Sequence, residues 1–179
     1  NDICHDMQTC CEDLLNRGVG FLAGDAETLA FPEDTELITS CSTLQWFENP
    51  EHFFHRCTNY LSRNGYFAFT TFGQKNMEEI RSTTGHGLTY RSLRDLKASL
   101  APMYDIIYAE EEVLPRTFTN PLQVLYHLKE TGVTGTGKHH WTRRELNRFC
   151  EDYPRQSGNN RSVTLTYHPI YIIAKKKKQ

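Results

Sequence analysis

The chain has 179 residues and a formal net charge of -2, and hydrophobic residues make up 38% of it. A chain of this length can bury a sizeable core, and its composition is that of an ordinary globular protein. The charge gives no global attraction to nucleic acid or to an anionic membrane, and no apolar run approaches the length of a bilayer span.

The first part of the chain alternates helices with short apolar strands. Hydrophobic periodicity predicts a helix over 5–16, strands over 20–23 and 36–40, a helix over 50–61, a turn at 63–65 and a strand over 66–71. Asn49 is the expected N-cap of the second helix, because Pro50 suits a first helical position. Apolar strands that alternate with helices indicate an α/β fold, in which a parallel sheet is covered on both faces.

The remainder of the chain is more varied. Predicted elements are helices over 77–82, 92–100 and 121–130, a helix that starts at Thr142, strands over 104–113 and 163–174, and a flexible loop over 131–137. Thr142 and Glu145 have the spacing of a capping box. Pro169 interrupts the last strand, and the late strands predict an antiparallel hairpin at the sheet edge.

The six cysteines are scattered, with no CxxC pair and no zinc-ligand spacing. This pattern is typical of reduced thiols in a cytoplasmic protein, and it predicts no metal site. A nucleophilic role for Cys41, which lies near a predicted strand end, is the alternative.

Asp2, Asp25 and Ser40 each stand at the end of a predicted strand. Ligands of open parallel α/β sheets bind just beyond the carboxyl ends of the strands. One carboxylate there can accept hydrogen bonds from both ribose hydroxyls, and a second can accept from an adenine amino group. These strand ends therefore predict a nucleoside site, and their spacing fits both a methyltransferase and a nicotinamide-binding domain. The glycine fingerprint of the latter is absent from the sequence.

Several segments resemble the class I S-adenosylmethionine-dependent methyltransferases, namely Asn1–Cys4, Gly24–Glu27 with Leu29 and Phe31–Pro32, and Glu36–Ile38 with Ser40. Four more resemble one subfamily, the malonyl-[acyl-carrier protein] O-methyltransferases of biotin synthesis: Leu44–Trp46, Phe69–Gly73, Leu125–Gly132 and Leu165–Pro169. The sequence departs from the family in having Glu36 where Asp is more usual. The first strand and the glycine-rich loop of the family, which would precede Asp2, are also absent from this sequence.

The resemblance implies one Rossmann-like methyltransferase domain over 1–179 that is incomplete at its N-terminus, with 75–103 and 115–150 as cap segments. It implies S-adenosylmethionine as cofactor and S-adenosylhomocysteine as product. The implied cofactor contacts are Asp2, Ile3, Met7, Asp25, Ala26 and Ser40. Candidate substrate contacts are Gln45, Trp46, Thr70, Arg116, Lys129 and His168. No acid or base is assigned, because a malonyl carboxylate is ionised near neutral pH.

The implied reaction is methylation of the free carboxylate of malonyl-acyl carrier protein or malonyl-CoA. A carrier protein is typically acidic, and two basic sets are candidate docking residues: Arg91, Arg94 and Lys97, and Arg143, Arg144 and Arg148. A solvated helix face is the other interpretation of either set. A methyltransferase for another small carboxylic acid and a non-catalytic truncated fragment remain alternatives for the whole chain.

Overall fold

The computed structural model describes residues 1–132, 141–154 and 162–178. They belong to two compact units, which are described separately. The first unit comprises Asn1–Thr70, Arg94–Ala109 and Ile172–Gln179, and the second comprises Thr71–Leu93 and Glu110–Tyr171. Most of the predicted 131–137 loop lies outside the described residues, and the predicted single domain with two cap segments stays a prediction.

The α-helices of the described residues are α1 (Glu12–Leu15), α2 (Pro50–Tyr60), α3 (Glu78–Thr84), α4 (Leu93–Leu100), α5 (Pro121–Glu130) and α6 (Arg143–Asp152). Short 3-10 helices cover His5–Cys11 and Leu44–Trp46. The strands are β1 (Thr35–Cys41), β2 (Leu61–Phe72), β3 (Tyr104–Glu111), β4 (Leu114–Phe118), β5 (Val163–Tyr167) and β6 (Pro169–Lys176). None of these helices combines the length and apolarity that a bilayer crossing requires.

A four-stranded sheet has the order β1-β2-β6-β3, and β4 and β5 form a separate antiparallel pair. β1 runs parallel to β2, and the register extends from Thr35 opposite Leu61 to Cys41 opposite Thr70. β1 ends the sheet on one side, and no strand in the described part of the chain pairs with its outer edge. The predicted α/β fold is confirmed, and β4 is a strand that the sequence did not reveal.

The predicted turn at 63–65 is wrong, because β2 runs through it. The register shifts here: Leu61 lies opposite Thr35, whereas Tyr66 lies opposite Leu37. β2 therefore accommodates extra residues as an irregularity of the ladder. A side chain at Gly65 would be tight, since an added Cβ would lie 3.0 Å from the carbonyl oxygen of Thr35.

Two predicted elements near the N-terminus are shorter than expected. The 5–16 helix divides into the 3-10 helix and the single turn of α1, and none of its residues is buried. Met7 and Leu14, on its predicted apolar face, remain 40% and 48% exposed, so this face has little of the packing that stabilises a long helix. The 20–23 strand reduces to one parallel bridge, between Asp2 and Ala23.

An aromatic cluster forms the core of the first unit. Phe67 contacts Phe53, Phe54, Phe69 and Tyr104, with ring centroids 5.0–6.1 Å apart. The buried hydroxyl of Tyr104 donates to the Phe54 carbonyl at 2.8 Å. This bond satisfies the polar end of a buried aromatic side chain and ties β3 to α2.

The second unit packs α5 and α6 against β5 through Val124, Phe149 and Leu165, all of which are buried. The predicted Thr142–Glu145 capping box starts α6: the Glu145 amide donates to the Thr142 hydroxyl, and the Glu145 carboxylate accepts from the Thr142 amide. Reciprocal bonds of this kind satisfy amides that have no partner within the helix.

Candidate functional site

The parallel bridge near the N-terminus brings two predicted cofactor segments together. The amide of Gly24 donates to the Asp2 carbonyl at 2.9 Å, and the Asp2 amide donates to the Leu22 carbonyl at 3.3 Å. The side-chain amide of Asn1 donates to the carbonyls of Leu22 and Gly24. Asp2 therefore lies beside the segment that leads directly into Asp25.

Asp2 and Asp25 have the same local geometry. Oδ1 of Asp2 accepts from the Cys4 amide at 2.8 Å, and Oδ1 of Asp25 accepts from the Glu27 amide at 2.9 Å. Such Asx turns fix the direction of each carboxylate. Within the described ranges, Oδ2 of each side chain has no hydrogen-bond partner. Two oriented carboxylate oxygens can thus accept hydrogen bonds from an external ligand.

Apolar side chains adjoin these carboxylates along the chain. Ile3 is 73% exposed, and Met7, in the 3-10 helix that follows, is also exposed. The predicted contact Ala26 is half-buried and directly follows Asp25. Exposed apolar groups beside fixed acceptors are the surfaces that a planar base would cover.

The carboxyl ends of β1 and β2 form a second polar group in the first unit. Ser40 lies opposite Phe69, and the next residue pair is Cys41 and Thr70. The amide of Ser42 donates to both the carbonyl and the hydroxyl of Thr70, at 2.9 and 3.1 Å.

This group continues into the 3-10 helix that follows β1. The side-chain amide of Gln45 donates to the carbonyl of Ser42, which has a left-handed backbone with φ of 52°. Trp46 follows Gln45 and is exposed. The structure therefore brings Ser40, Gln45 and Thr70 together at the carboxyl ends of β1 and β2, as expected for parallel strands.

The remaining predicted substrate contacts belong to the second unit. Arg116 on β4 and Lys129 on α5 are both exposed. Burial raises the pKa of Tyr167, and the nearby Arg116 guanidinium acts in the opposite direction. The Tyr167 hydroxyl is also 2.8 Å from Nε2 of His127. Arg116 therefore lies near the hydroxyl of Tyr167, which in turn contacts His127. Both of these side chains can donate hydrogen bonds, and neither was predicted as a site residue.

His168 is buried, and both of its ring nitrogens are occupied. Nδ1 accepts from the amide of Lys75 at 3.1 Å, so Nε2 carries the proton and donates to the Glu111 carboxylate at 3.1 Å. The His168 amide also donates to Asn76. A substrate could bind the ring only by displacing one of these partners.

Comparison with known proteins places the chain in a family. Residues 1–69 match the model of the methyltransferase domain. Malonyl-[acyl-carrier protein] O-methyltransferase from Bacteroides fragilis is 60% identical over 99% of this chain, which spans 36% of that protein. The enzyme of that name from Bacteroides thetaiotaomicron is 56% identical, with 99% of this chain and 72% of the relative covered. This chain belongs to the malonyl-[acyl-carrier protein] O-methyltransferase family. The family membership predicted from the sequence motifs is therefore confirmed.

A more distant member agrees with this assignment, and two solved structures show the same fold. The malonyl-[acyl-carrier protein] O-methyltransferase of Haemophilus influenzae is 40% identical over 98% of this chain and 67% of its own length. A candidate methyltransferase from Bacillus halodurans has a TM-score of 0.66 at 16% identity, with 98% of this chain and 81% of that chain covered. YcgJ from Bacillus subtilis has a TM-score of 0.64 at 17% identity, with 99% and 81% covered. Identities this low show the fold alone.

All six predicted cofactor contacts lie within the stretch that matches the methyltransferase domain. Two further residues of this stretch link the turn after Asp25 to α2, and the sequence does not indicate this role. Glu27 accepts from the amides of Glu48 and Asn49, and Arg56 donates to the carbonyls of Ala26, Glu27 and Leu29. Both bind backbone groups, which carry no residue-type signal in a sequence.

Proposed function

We propose that this member of the malonyl-[acyl-carrier protein] O-methyltransferase family binds S-adenosylmethionine and directs its methyl group to the free carboxylate of a malonyl thioester. The acyl carrier protein is the proposed bearer of that thioester, and the product would enter biotin synthesis. The names of the relatives support the acceptor. The observation that carries the cofactor proposal is the pair of oriented Oδ2 atoms on Asp2 and Asp25.

The residues of the first unit fit an adenosyl group by their chemistry. Carboxylate oxygens accept from hydroxyl and amino donors, which gives Asp2 the ribose and Asp25 the adenine amino group. Ile3, Met7 and Ala26 offer apolar surface to the base. Ser40 is proposed to adjoin the methionine part, because it lies near the carboxyl end of β1.

When bound, S-adenosylmethionine would supply a methyl group on a positively charged sulfur, which a carboxylate oxygen can accept. No residue must remove a proton, because the acceptor carboxyl group is already ionised at neutral pH. The side chains must instead orient the acceptor and exclude water. Neutral donors such as Thr70 and Gln45 suit this role, because they hold a carboxylate without cancelling its charge.

Arg116 and Lys129 are the candidate cations for the substrate. Trp46 is the candidate wall for the acyl chain. His168 remains a proposed contact, although its ring would have to release Lys75 or Glu111 to bind substrate.

Calorimetric titration with S-adenosylhomocysteine tests the cofactor proposal. Asp25→Asn keeps the Oδ1 acceptor of the Asx turn and removes the charge, so we expect a dissociation constant raised by about tenfold or more. Glu33→Gln, which neutralises an exposed carboxylate of the same region, is the matched control and should leave it unchanged. Equal binding by wild type, Asp25→Asn and Glu33→Gln would remove Asp25 from the site.

A methylation assay tests the acceptor. Malonyl-acyl carrier protein, malonyl-CoA and free malonate are compared at equal concentration with a radiolabelled methyl donor. We expect kcat/KM to fall in that order. A free acid that matched the carrier-bound substrate would favour the small-molecule alternative. S-adenosylhomocysteine binding without methylation of any acceptor would favour a non-catalytic chain.

A further inference from the structure

Glu27 connects the predicted adenine-binding turn to α2. Its two carboxylate oxygens accept from consecutive backbone amides, those of Glu48 and Asn49, at 2.8 Å each. Asn49 is itself the N-cap of α2, and its side chain accepts from the His52 amide. The negative charge of Glu27 therefore lies at the positive end of the α2 dipole, where short charge-assisted bonds are strong.

Arg56 makes the return connection from α2 to the same turn. Nη1 donates to the carbonyls of Ala26 and Glu27, and Nη2 donates to the carbonyl of Leu29 at 2.7 Å and to the hydroxyl of Tyr60 at 3.2 Å. No carboxylate in the described part of the chain forms an ion pair with this guanidinium. The planar guanidinium of Arg56 thus binds three backbone carbonyls of a single turn.

The turn between these two connections carries Asp25. The Asp25 carbonyl accepts from the amides of Thr28 and Leu29, at 3.1 and 2.8 Å. Its Oδ1 accepts from the Glu27 amide. Every bond that orients the Asp25 carboxylate therefore involves the turn that Arg56 and Glu27 fix to α2.

We infer that Glu27 and Arg56 are positioning residues that set the direction of the Asp25 carboxylate and so the selectivity of the site for an adenine ring. This inference rests on the proposed function, in which Asp25 accepts from the adenine amino group. Neither side chain needs to contact the ligand. Loss of either one would let the 25–29 turn move away from α2 and would misdirect Oδ2 of Asp25.

The test compares S-adenosylhomocysteine with S-inosylhomocysteine, whose ring has a carbonyl in place of the adenine amino group. In Arg56→Met we expect about tenfold weaker binding of the adenine ligand and little change for the inosine ligand. Arg56→Lys should behave in the same way, because a lysine has no planar fork. Arg63→Met removes an exposed arginine from β2 and is the matched control.

A merely structural role gives a different result, since damage to the fold would weaken both ligands by the same factor and leave their ratio unchanged. That outcome overturns the inference. Arg56→Met combined with Asp25→Asn should bind no worse than the weaker single variant, whereas additive losses would contradict an effect through Asp25. If Arg56→Met unfolds, Glu27→Gln provides the same comparison with a smaller change.

Hydrogen exchange separates failure of this inference from failure of the proposed function. If wild type binds neither ligand, the cofactor proposal fails for this chain. The Thr28 and Leu29 amides still report on the turn, because both donate to Asp25. Faster exchange of these amides in Arg56→Met, with the core unaffected, supports positioning of the turn, and unchanged exchange refutes it.

Discussion

Gly73 lies against the ring of His168 in the second unit, and this contact gives a sharp prediction for Gly73→Ala. An added Cβ would stand 2.6 Å from Cε1, 2.7 Å from Nδ1 and 2.9 Å from Nε2 of the imidazole. The Gly73 amide also donates to the His168 carbonyl at 2.7 Å, so the two backbones are held together. The φ of Gly73 is not left-handed, and the expected effect is therefore steric.

The magnitude follows from the partners of the ring. Carbon atoms pack at about 3.5 Å or more, so the imidazole must retreat by roughly 0.9 Å. The amide of Lys75 and the carboxylate of Glu111, each 3.1 Å from the ring, hold it in place. Losing one of these hydrogen bonds costs about 1 kcal/mol, and overpacking costs a further ~1–3 kcal/mol. Gly73→Ala should therefore lower the free energy of unfolding by about 2–4 kcal/mol.

Urea unfolding, followed by far-ultraviolet circular dichroism and tryptophan fluorescence, measures this change. Gly20→Ala is the control, because a Cβ at Gly20 meets nothing within 4 Å and its φ is not left-handed. In a His168→Ala background the same Gly73→Ala change should cost less than about 1 kcal/mol, since the obstructing ring is gone. An equal cost in both backgrounds, or a cost below about 0.5 kcal/mol in the wild type, would refute the steric account.

Three further predictions concern other parts of the chain. Thr142→Ala should destabilise by about 1 kcal/mol in thermal unfolding, whereas Thr142→Ser should be near neutral, and equal losses would count against the capping box. Burial raises the pKa of Cys57 from 9.0 to about 12, so the unfolded chain releases this proton first and stability should fall from pH 9 upward. Cys57→Ala should reduce that fall between pH 9 and 10, where Tyr104 adds little, and an unchanged slope would contradict it. Arg144→Glu should lower kcat/KM for malonyl-acyl carrier protein about tenfold at low salt but not for malonyl-CoA; an equal loss for both would exclude carrier docking at α6.

Elements with local signals were predictable. Asn49–Pro50 starts α2, and the Thr142–Glu145 box starts α6, because these residues satisfy helix amides within a few positions of themselves. β4 had no such signal. It contains Pro115 and consists mainly of exposed residues, and it is a strand because β5 pairs with it from distant sequence. A five-residue strand that depends on such a distant partner shows no periodic pattern in its own sequence.

The same distinction holds for the candidate site. The expectation that Asp2 and Asp25 would lie together follows from the rule on strand ends, and the Asp2–Ala23 bridge places their segments side by side. Arg56 lies 29 residues beyond Glu27, and it contacts carbonyl groups that every residue possesses. No spacing or residue type in the sequence could indicate those contacts before α2 was placed against the turn.

The outer edge of β1 has a consequence for what can extend the sheet. In the described residues this strand pairs on one side only, and its Leu37 side chain is 55% exposed. Any extended segment that paired with this edge would continue the sheet there and cover Leu37. A proline placed in β1 would weaken such pairing more than any change in the aromatic core, because it removes a backbone donor from the ladder.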